Sequence, residues 1–154
     1  MFEKQPWMQR AGEYPQSNEE YFGLLARAVF SAGLGPKVVE SRWGQMAAAF
    51  HGFDPAQVER MDETDVLRLL GDPAVIRNRR KIEAVIENAR RFREQTAEAD
   101  SFHAYLMELG AESDLDEAAE KLAGTFTHLG RTSALFFLFS AGWRPQEVAA
   151  AATV

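Results

Sequence analysis

Residues 126–134 have the pattern of a helix–hairpin–helix, in which a short turn and a glycine lead into a second helix. The segment reads Phe-Thr-His-Leu-Gly-Arg-Thr-Ser-Ala, so hydroxyl residues follow the glycine and open the next helical pattern. A glycine here lets backbone N–H groups approach a phosphate, and the helix N-terminus offers the positive end of its dipole. Such a device binds the backbone of a duplex without reading its sequence. We therefore predict DNA contacts from Leu129, Gly130, Arg131 and Thr132; the alternative is an ordinary turn before a helix.

A second candidate phosphate site is the cluster of cations at the predicted start of the longest helix. Cations beside a helix N-terminus oppose the helix dipole unless an anion is bound there. Residues 75–93 include seven basic and two acidic residues and carry +5, which leaves −11 for the rest of a chain whose net charge is −6. A basic patch on an acidic chain is typical of a phosphate-binding surface. The predicted contacts are Arg77, Asn78, Arg79, Arg80 and Lys81; the alternative is a solvated helix face on which Arg79 pairs with Glu83.

The composition excludes several kinds of site. The 154 residues include no cysteine, which rules out disulfides, thiolate metal sites and a cysteine nucleophile. The three histidines, His51, His103 and His128, lack the spacing of metal ligands. We therefore expect neither a metal nor any other cofactor.

No segment has the pattern of a leader or of a membrane span. The first residues are charged and include no apolar core of a signal peptide. The longest apolar run, Ala134–Phe139, is far shorter than the roughly 20 residues that a membrane-spanning helix needs. We expect a cytoplasmic monomer that does not enter a membrane.

Apolar residues recur at helical spacing along the chain, and no convincing strand pattern appears. The length is that of one globular domain, here residues 1–154. We predict a compact all-α fold of about eight or nine short helices that includes the helix–hairpin–helix. The longest helix is predicted to begin at Asp72-Pro73 or at Asn78 and to end near Ala97, with one apolar stripe from Ile82 to Phe92. The other predicted helices cover about 21–32, 37–51, 55–60, 102–109, 114–124 and 132–141, with a short one after Pro145. A further helix is predicted to begin at Asp62 or Thr64 and to end at Gly71.

Three stretches together resemble the DNA-3-methyladenine glycosylase I family of the helix–hairpin–helix glycosylase superfamily. Phe30–Leu34 stands in the place of the family's Q-A-G-L run. Ala49–Pro55 leads into Val75–Arg90, whose I-R-N-R-x-K-I-x-A-x-I-x-N-A-R string is hard to explain by helix composition alone. Phe126–Thr132 is similar to the family's hairpin. The resemblance covers about residues 20–142.

The resemblance implies base excision from double-stranded DNA that contains a damaged base. An alkylated purine is flipped from the duplex into a pocket, and its N-glycosidic bond is hydrolysed. A positively charged 3-methyladenine is already a good leaving group, so extrusion, stacking and electrostatic placement suffice for much of the catalysis. We expect an active glycosylase; the alternatives are a non-catalytic relative that binds lesions and a structural protein that kept only the fold.

The chain departs from the family at the positions that carry the chemistry. Ala28 stands where the family has its pocket glutamate, and Pro36 where it has its stacking tryptophan. The family's zinc site is missing, because the chain has no cysteine and its tail at Trp143–Pro145 has no histidine. The resemblance therefore implies a zinc-free variant with an altered pocket.

Other residues are candidates to replace the missing pocket groups. Trp7, Tyr21 and Trp43 could stack on a flipped base; Trp7 is the preferred candidate, because Tyr21 and Trp43 are better explained as core or groove-lining residues. Ser31 stands at the wall that carries glutamine in the family and could bind a base edge. The further candidates are Tyr14 for stacking and Glu13, Glu20 and Glu40 as carboxylates.

Overall fold

The computed structural model describes residues 8–145, and within this range the chain forms nine α-helices and no strand. The all-α prediction is therefore confirmed. A single 3₁₀ turn covers His51–Phe53. The helices are α1 (Asn18–Ser31), α2 (Pro36–Glu40), α3 (Trp43–Ala49), α4 (Pro55–Val58), α5 (Glu63–Leu70), α6 (Arg79–Ala99), α7 (Phe102–Leu109), α8 (Leu115–Thr125) and α9 (Arg131–Ser140).

Six helices begin at a side chain that accepts a hydrogen bond from the backbone of the first turn. Such a cap stabilises a helix by about 1 kcal/mol, because it satisfies one of the free N–H groups at the helix start. The cap of α6 is Asn78, which accepts from the N–H of Lys81 at 3.2 Å and decides between the two predicted starts of this helix. The six capping residues are Ser17, Asp54, Asp62, Asn78, Ser101 and Asp114.

The single helix predicted over 37–51 is wrong, since this stretch forms two short helices, α2 and α3. The break lies at Ser41 and Arg42. The Ser41 hydroxyl donates to the carbonyl of Val38 at 2.9 Å, a local bond that competes with the helical ladder. The helix predicted after Pro145 and the candidate Trp7 lie outside the described residues.

The core is arranged around α1, which packs against α6, α7 and α9. Eight of its residues are buried, so this helix has apolar neighbours on most of its sides. The predicted stripe of α6 faces it: Ile82, Val85, Ala89 and Phe92 are all buried. Full burial of such side chains contributes roughly 1.5–3 kcal/mol each, which fixes α6 against α1.

An N-terminal arm, residues 8–17, is bound to the turn that follows α9. The N–H of Gln9 donates to the carbonyl of Ser140 at 3.1 Å, and the N–H of Gly12 donates to the carbonyl of Gly142 at 3.0 Å. The guanidinium of Arg144 donates to the carbonyl of Gln9. These bonds hold the arm beside the N-terminal half of α1.

Replacing Gly142 with alanine is expected to destabilise the protein by about 1–3 kcal/mol. Gly142 has φ +96°, and a Cβ there would lie 2.9 Å from the carbonyl oxygens of both Arg10 and Glu13. Urea unfolding of Gly142→Ala measures the loss. The matched control is Gly124→Ala, in α8, where an added Cβ meets nothing within 4 Å and should stabilise by about 0.5–1 kcal/mol. Equal shifts in the two variants would contradict the close packing of the arm.

Candidate functional site

A cavity of about 440 Å³ lies between the N-terminal arm, α1 and the turn at 51–53. Part of its lining is polar and comes from Gln9, Glu20 and Ser140, and another part, the aromatic wall, comes from Trp43 and Phe53. Mixed apolar and polar walls of this kind are typical of small-molecule and base sites.

The aromatic wall is the end of a stack of three rings. Trp43 lies on Phe53 with ring centres 4.7 Å apart, and Phe53 lies on Phe50 with centres 5.3 Å apart, both pairs at 12°. The backbone places Phe53 in the middle through a left-handed turn, in which His51 has φ 58°, Gly52 66° and Phe53 57°. This conformation is unfavourable for His and Phe, by roughly 1–3 kcal/mol each, so the stack holds the turn in a strained form. Trp43, a predicted stacking residue, is the half-buried outer ring.

Tyr21, also predicted to stack on a base, belongs to the core instead of this wall. It is buried, and its hydroxyl lies 2.7 Å from Nδ1 of His103. Burial raises the pKa of the Tyr21 hydroxyl. Tyr14 covers His103 and Trp143, with ring centres 4.9 and 4.3 Å away. Tyr21 thus supports a ring cluster beneath the arm.

The candidate carboxylates lie in three different places. Glu20 borders the first cavity and also a second one, of about 610 Å³, and its Oε2 accepts from the N–H of Gln16 at 3.0 Å. Glu13 borders the second cavity together with Tyr14 and His103. Glu40 is exposed at the end of α2.

The positions that depart from the family lie at the C-terminal half of α1 and just beyond it. Ala28 is buried and Pro36 is the first residue of α2. Ser31, the predicted wall residue, is also buried, and its hydroxyl has no hydrogen-bond partner in the described part of the chain.

Arg27 is a residue of this region that our reading of the sequence did not select. Its Nε and Nη2 are inaccessible to solvent and have no hydrogen-bond partner within residues 8–145. Its guanidinium carbon lies 5.7 Å from the centre of the Trp43 ring. Burial lowers the pKa of Arg27, and the charge of Glu40 opposes that shift. The available signal was that Arg27 is the one charged residue between Tyr21 and Ser31.

The hairpin between α8 and α9 is fastened to the middle of α6. The side chain of Asn88 donates to the carbonyl of Thr127 at 3.0 Å and accepts from its N–H at 2.9 Å. Leu129 is buried and anchors the turn. Gly130 is exposed and supplies no side-chain cap to α9, and an added Cβ would meet nothing within 4 Å. The start of α9 therefore has no side-chain cap, and the space beside Gly130 is open.

Arg131 and Thr132 are exposed at the first turn of α9. The guanidinium of Arg131 forms ion pairs with Asp116 at 2.8 Å and with Glu120 at 3.9 Å. The charge of Arg131 is therefore partly compensated by α8, and the hairpin offers backbone amides more than a free cation.

The five predicted phosphate contacts at the start of α6 have different partners. Arg79 pairs with Glu63 and Glu83, so the pairing considered as the alternative is present. Asn78 is engaged as the helix cap. Lys81 donates from Nζ to the carbonyls of Phe30 and Ala32, at 3.0 and 2.6 Å, and burial lowers its pKa.

Arg77 and Arg80 are the two cations of this cluster without a partner in the described part of the chain, and both are exposed. Their charges are therefore available to an anion. Arg77 and Arg80 thus form one surface that suits phosphate, and the start of α9 forms a second.

Neither a metal centre nor a membrane span is found in the described residues. Within 8–145 no group of three or more histidine, aspartate or glutamate side chains is placed to hold a metal ion. Among the helices that the structure describes, none has the length and apolarity needed to cross a membrane.

Comparison with known proteins identifies the family. A sequence model of the methyladenine glycosylase family matches residues 7–135. DNA-3-methyladenine glycosylase 1 of Escherichia coli (strain K12) is 35% identical over 85 residues, which are 55% of this chain and 46% of that protein, so the match spans less than half of the relative's length.

Solved structures agree with this match over most of the chain. A crystal structure of a 3-methyladenine DNA glycosylase I has 25% identity and a TM-score of 0.75, with 91% of this chain and 93% of that chain covered. The 3-methyladenine DNA glycosylase I of Staphylococcus aureus, at 24% identity and a TM-score of 0.78, has the same fold over 91% of this chain and 87% of its own. Since the family model covers most of its residues, the chain belongs to the methyladenine glycosylase family.

Proposed function

We propose that this protein binds duplex DNA containing an alkylated purine of the 3-methyladenine type and hydrolyses its N-glycosidic bond. The observation that carries the proposal is the family match over residues 7–135, which includes the aromatic wall of the cavity and all of its other lining residues except Ser140. The flipped base enters that cavity and stacks on Trp43, which Phe53 and Phe50 hold in place. Stacking of this kind contributes roughly 1–3 kcal/mol per base, and it exists only after the base has left the duplex.

Because a cationic 3-methyladenine is already a good leaving group, the protein has to supply little further catalysis. When the bond between C1′ and the base nitrogen of a cationic 3-methyladenine breaks, its electron pair goes to the base, which leaves as a neutral molecule. The oxygen of a water bonds to C1′ and the water loses one proton. Glu19 and Glu20 are the carboxylates of the described residues that border the cavity. We assign to Glu20, the one predicted from the sequence, the stabilisation of the positive sugar or acceptance of that proton.

Duplex DNA is held, in this proposal, by two surfaces that contact phosphates. The amides at Gly130 and Arg131 supply one, and Arg77 and Arg80 supply the other. Neither contact reads the base sequence, as suits an enzyme that searches for rare lesions. We further propose that the protein acts as a monomer without a metal, in the cytoplasm.

The test is release of 3-methyladenine from methylated duplex DNA. We expect release by the unaltered protein and at least tenfold slower release by Trp43→Ala, because the stacking surface is lost. Met107→Ala, at an exposed residue of α7, is the matched control and should leave the rate unchanged. Salt-sensitive duplex binding without any release would instead support a lesion-binding protein with a degenerate pocket.

A further inference from the structure

One face of α1 continues from the cavity wall to a guanidinium with two nitrogens that have no hydrogen-bond partner in the described part of the chain. Gly23 and Leu24 line the cavity, and Arg27 follows them by one helical turn on the same face. Ser31, with its unpartnered hydroxyl, is one turn further. Arg27 is not itself in the cavity wall, but it contacts the ring of Trp43, which is.

The unpartnered N–H groups of Arg27 lower the stability of the folded protein. Two of its nitrogens are hidden from water and donate no hydrogen bond within residues 8–145, although buried donors almost always have a partner. The ring of Trp43 supplies a cation–π contact, and the exposed carboxylate of Glu40 acts only through its field. Neither satisfies the N–H groups. A long, flexible side chain with free donors beside a cavity is suited to an acceptor that arrives with the ligand.

We propose that Arg27 binds the purine in this site and stabilises it as it leaves. Its N–H groups would donate to a ring-nitrogen or carbonyl acceptor of the flipped base. The inference rests on the proposed function, and it gives the site a cation adjacent to Ala28, where the family has a carboxylate.

The electron flow of the reaction agrees with a cation at this place. When the N-glycosidic bond breaks, its electron pair moves onto the base, so the base becomes more negative in the transition state than in the substrate. A guanidinium near the base favours that change and is placed to lower the barrier. A cationic base becomes neutral and the water gives up a proton to Glu20 or to solvent, whereas a neutral base leaves as an anion and takes that proton.

The substrate class follows from the same charge argument. A guanidinium repels a purine with a fixed positive charge before cleavage, but it attracts a neutral purine with an acceptor. We therefore expect the protein to release neutral alkylated purines, such as 1,N6-ethenoadenine, in addition to 3-methyladenine.

The experiment measures single-turnover release from two duplexes, one with 1,N6-ethenoadenine and one with 3-methyladenine. For Arg27→Met we expect release of the neutral base to fall at least tenfold more than release of the cationic base. Duplex binding should be unchanged or tighter for the cationic lesion. Arg90→Met, on the exposed face of α6, removes the same charge and should leave the ratio of the two rates unaltered. An unchanged ratio in Arg27→Met overturns the proposal while leaving the glycosylase function intact.

A stability measurement separates binding from a structural role. Because Arg27→Met removes unsatisfied buried donors, its melting temperature should equal or exceed that of the unaltered protein. A lower melting temperature would mean that the guanidinium supports the fold, and would overturn the proposal.

Binding of the free base tests Arg27 without turnover. Free 3-methyladenine is neutral, and the part of its quenching of tryptophan fluorescence that is absent from Trp43→Phe reports its contact with Trp43. We expect Arg27→Met to weaken this binding at least tenfold, and equal binding by the variant would overturn the proposal. If the unaltered protein releases neither lesion but binds the free base through Arg27, the proposed hydrolysis fails and the recognition role stands.

Discussion

Replacing Asn88 with alanine is expected to lower the free energy of unfolding by about 2–5 kcal/mol, because two buried backbone groups lose their partner. The Asn88 amide satisfies both the carbonyl and the N–H of Thr127, and it is 1% exposed. Water cannot easily replace a side chain at that depth. The substitution should also weaken DNA binding. Without the Asn88 hydrogen bonds the hairpin is no longer attached to α6, so the start of α9 would not be held in one position and the affinity for duplex DNA should fall.

Urea unfolding and duplex binding of the same variants test this. Asn88→Asp keeps an acceptor for the Thr127 N–H but sets a carboxylate against its carbonyl, so we expect it to be destabilised as well. Glu98→Ala, on the exposed face of the same helix, should stay within about 0.5 kcal/mol of the unaltered protein. If Asn88→Ala were as stable as that control, the hairpin would not depend on α6.

The bond from Asn88 gives a physical meaning to part of the family's sequence pattern. Asn88 and Ala89 belong to the N-A-R string that supports the resemblance. Ala89 faces the core, and Asn88 reaches a turn that is 39 residues away in the chain. Periodicity alone predicted Ala89 as a core residue, but it offered no way to predict the partner of Asn88, since that partner depends on how α8 and α9 return to α6.

Local signals predicted most helix boundaries. The Asn78 cap, the Asp114 cap and the glycine after α7 act over one turn of chain, so they can be seen in the sequence. The break at Ser41 was missed because Ser41 and Arg42 are both compatible with a helix. Only the tertiary structure shows that the chain leaves α2 there and places Trp43 over Phe53.

The site was less predictable, because side-chain partners come from distant parts of the chain. Trp43 lies at the cavity as one reading expected, but Tyr21 turns to His103. Among the predicted cations, Arg79 meets Glu63 and Lys81 meets the end of α1. The sequence did not predict a role for Arg27, because an arginine in an apolar helix has many explanations. Only the structure shows that two of its nitrogens have no hydrogen-bond partner in the described part of the chain.

The unpaired cations at the start of α6, Arg77 and Arg80, lead to the second large expected effect, which is on DNA binding. Arg77→Gln combined with Arg80→Gln should weaken duplex binding by about tenfold to hundredfold at moderate salt, because two phosphate contacts and their released counterions are lost. Both arginines are exposed and unpaired in the described part of the chain, so their removal breaks no internal ion pair. The effect should be independent of DNA sequence, since phosphate contacts position the protein without reading bases.

The salt dependence of duplex binding shows whether these two arginines contact phosphates directly or act only through the net charge of the protein. Each lost phosphate contact lowers the slope of log affinity against log salt by about 0.9, so the double variant should lose about 1.8. The control, Arg90→Gln with Arg93→Gln, removes the same charge from the same helix at residues paired with Glu87, Glu94 and Glu59. If the control variant bound duplex DNA as weakly as the Arg77 and Arg80 double variant, net charge alone would explain the loss of binding. An unchanged slope in the double variant would place the DNA elsewhere, with the start of α9 as the remaining candidate.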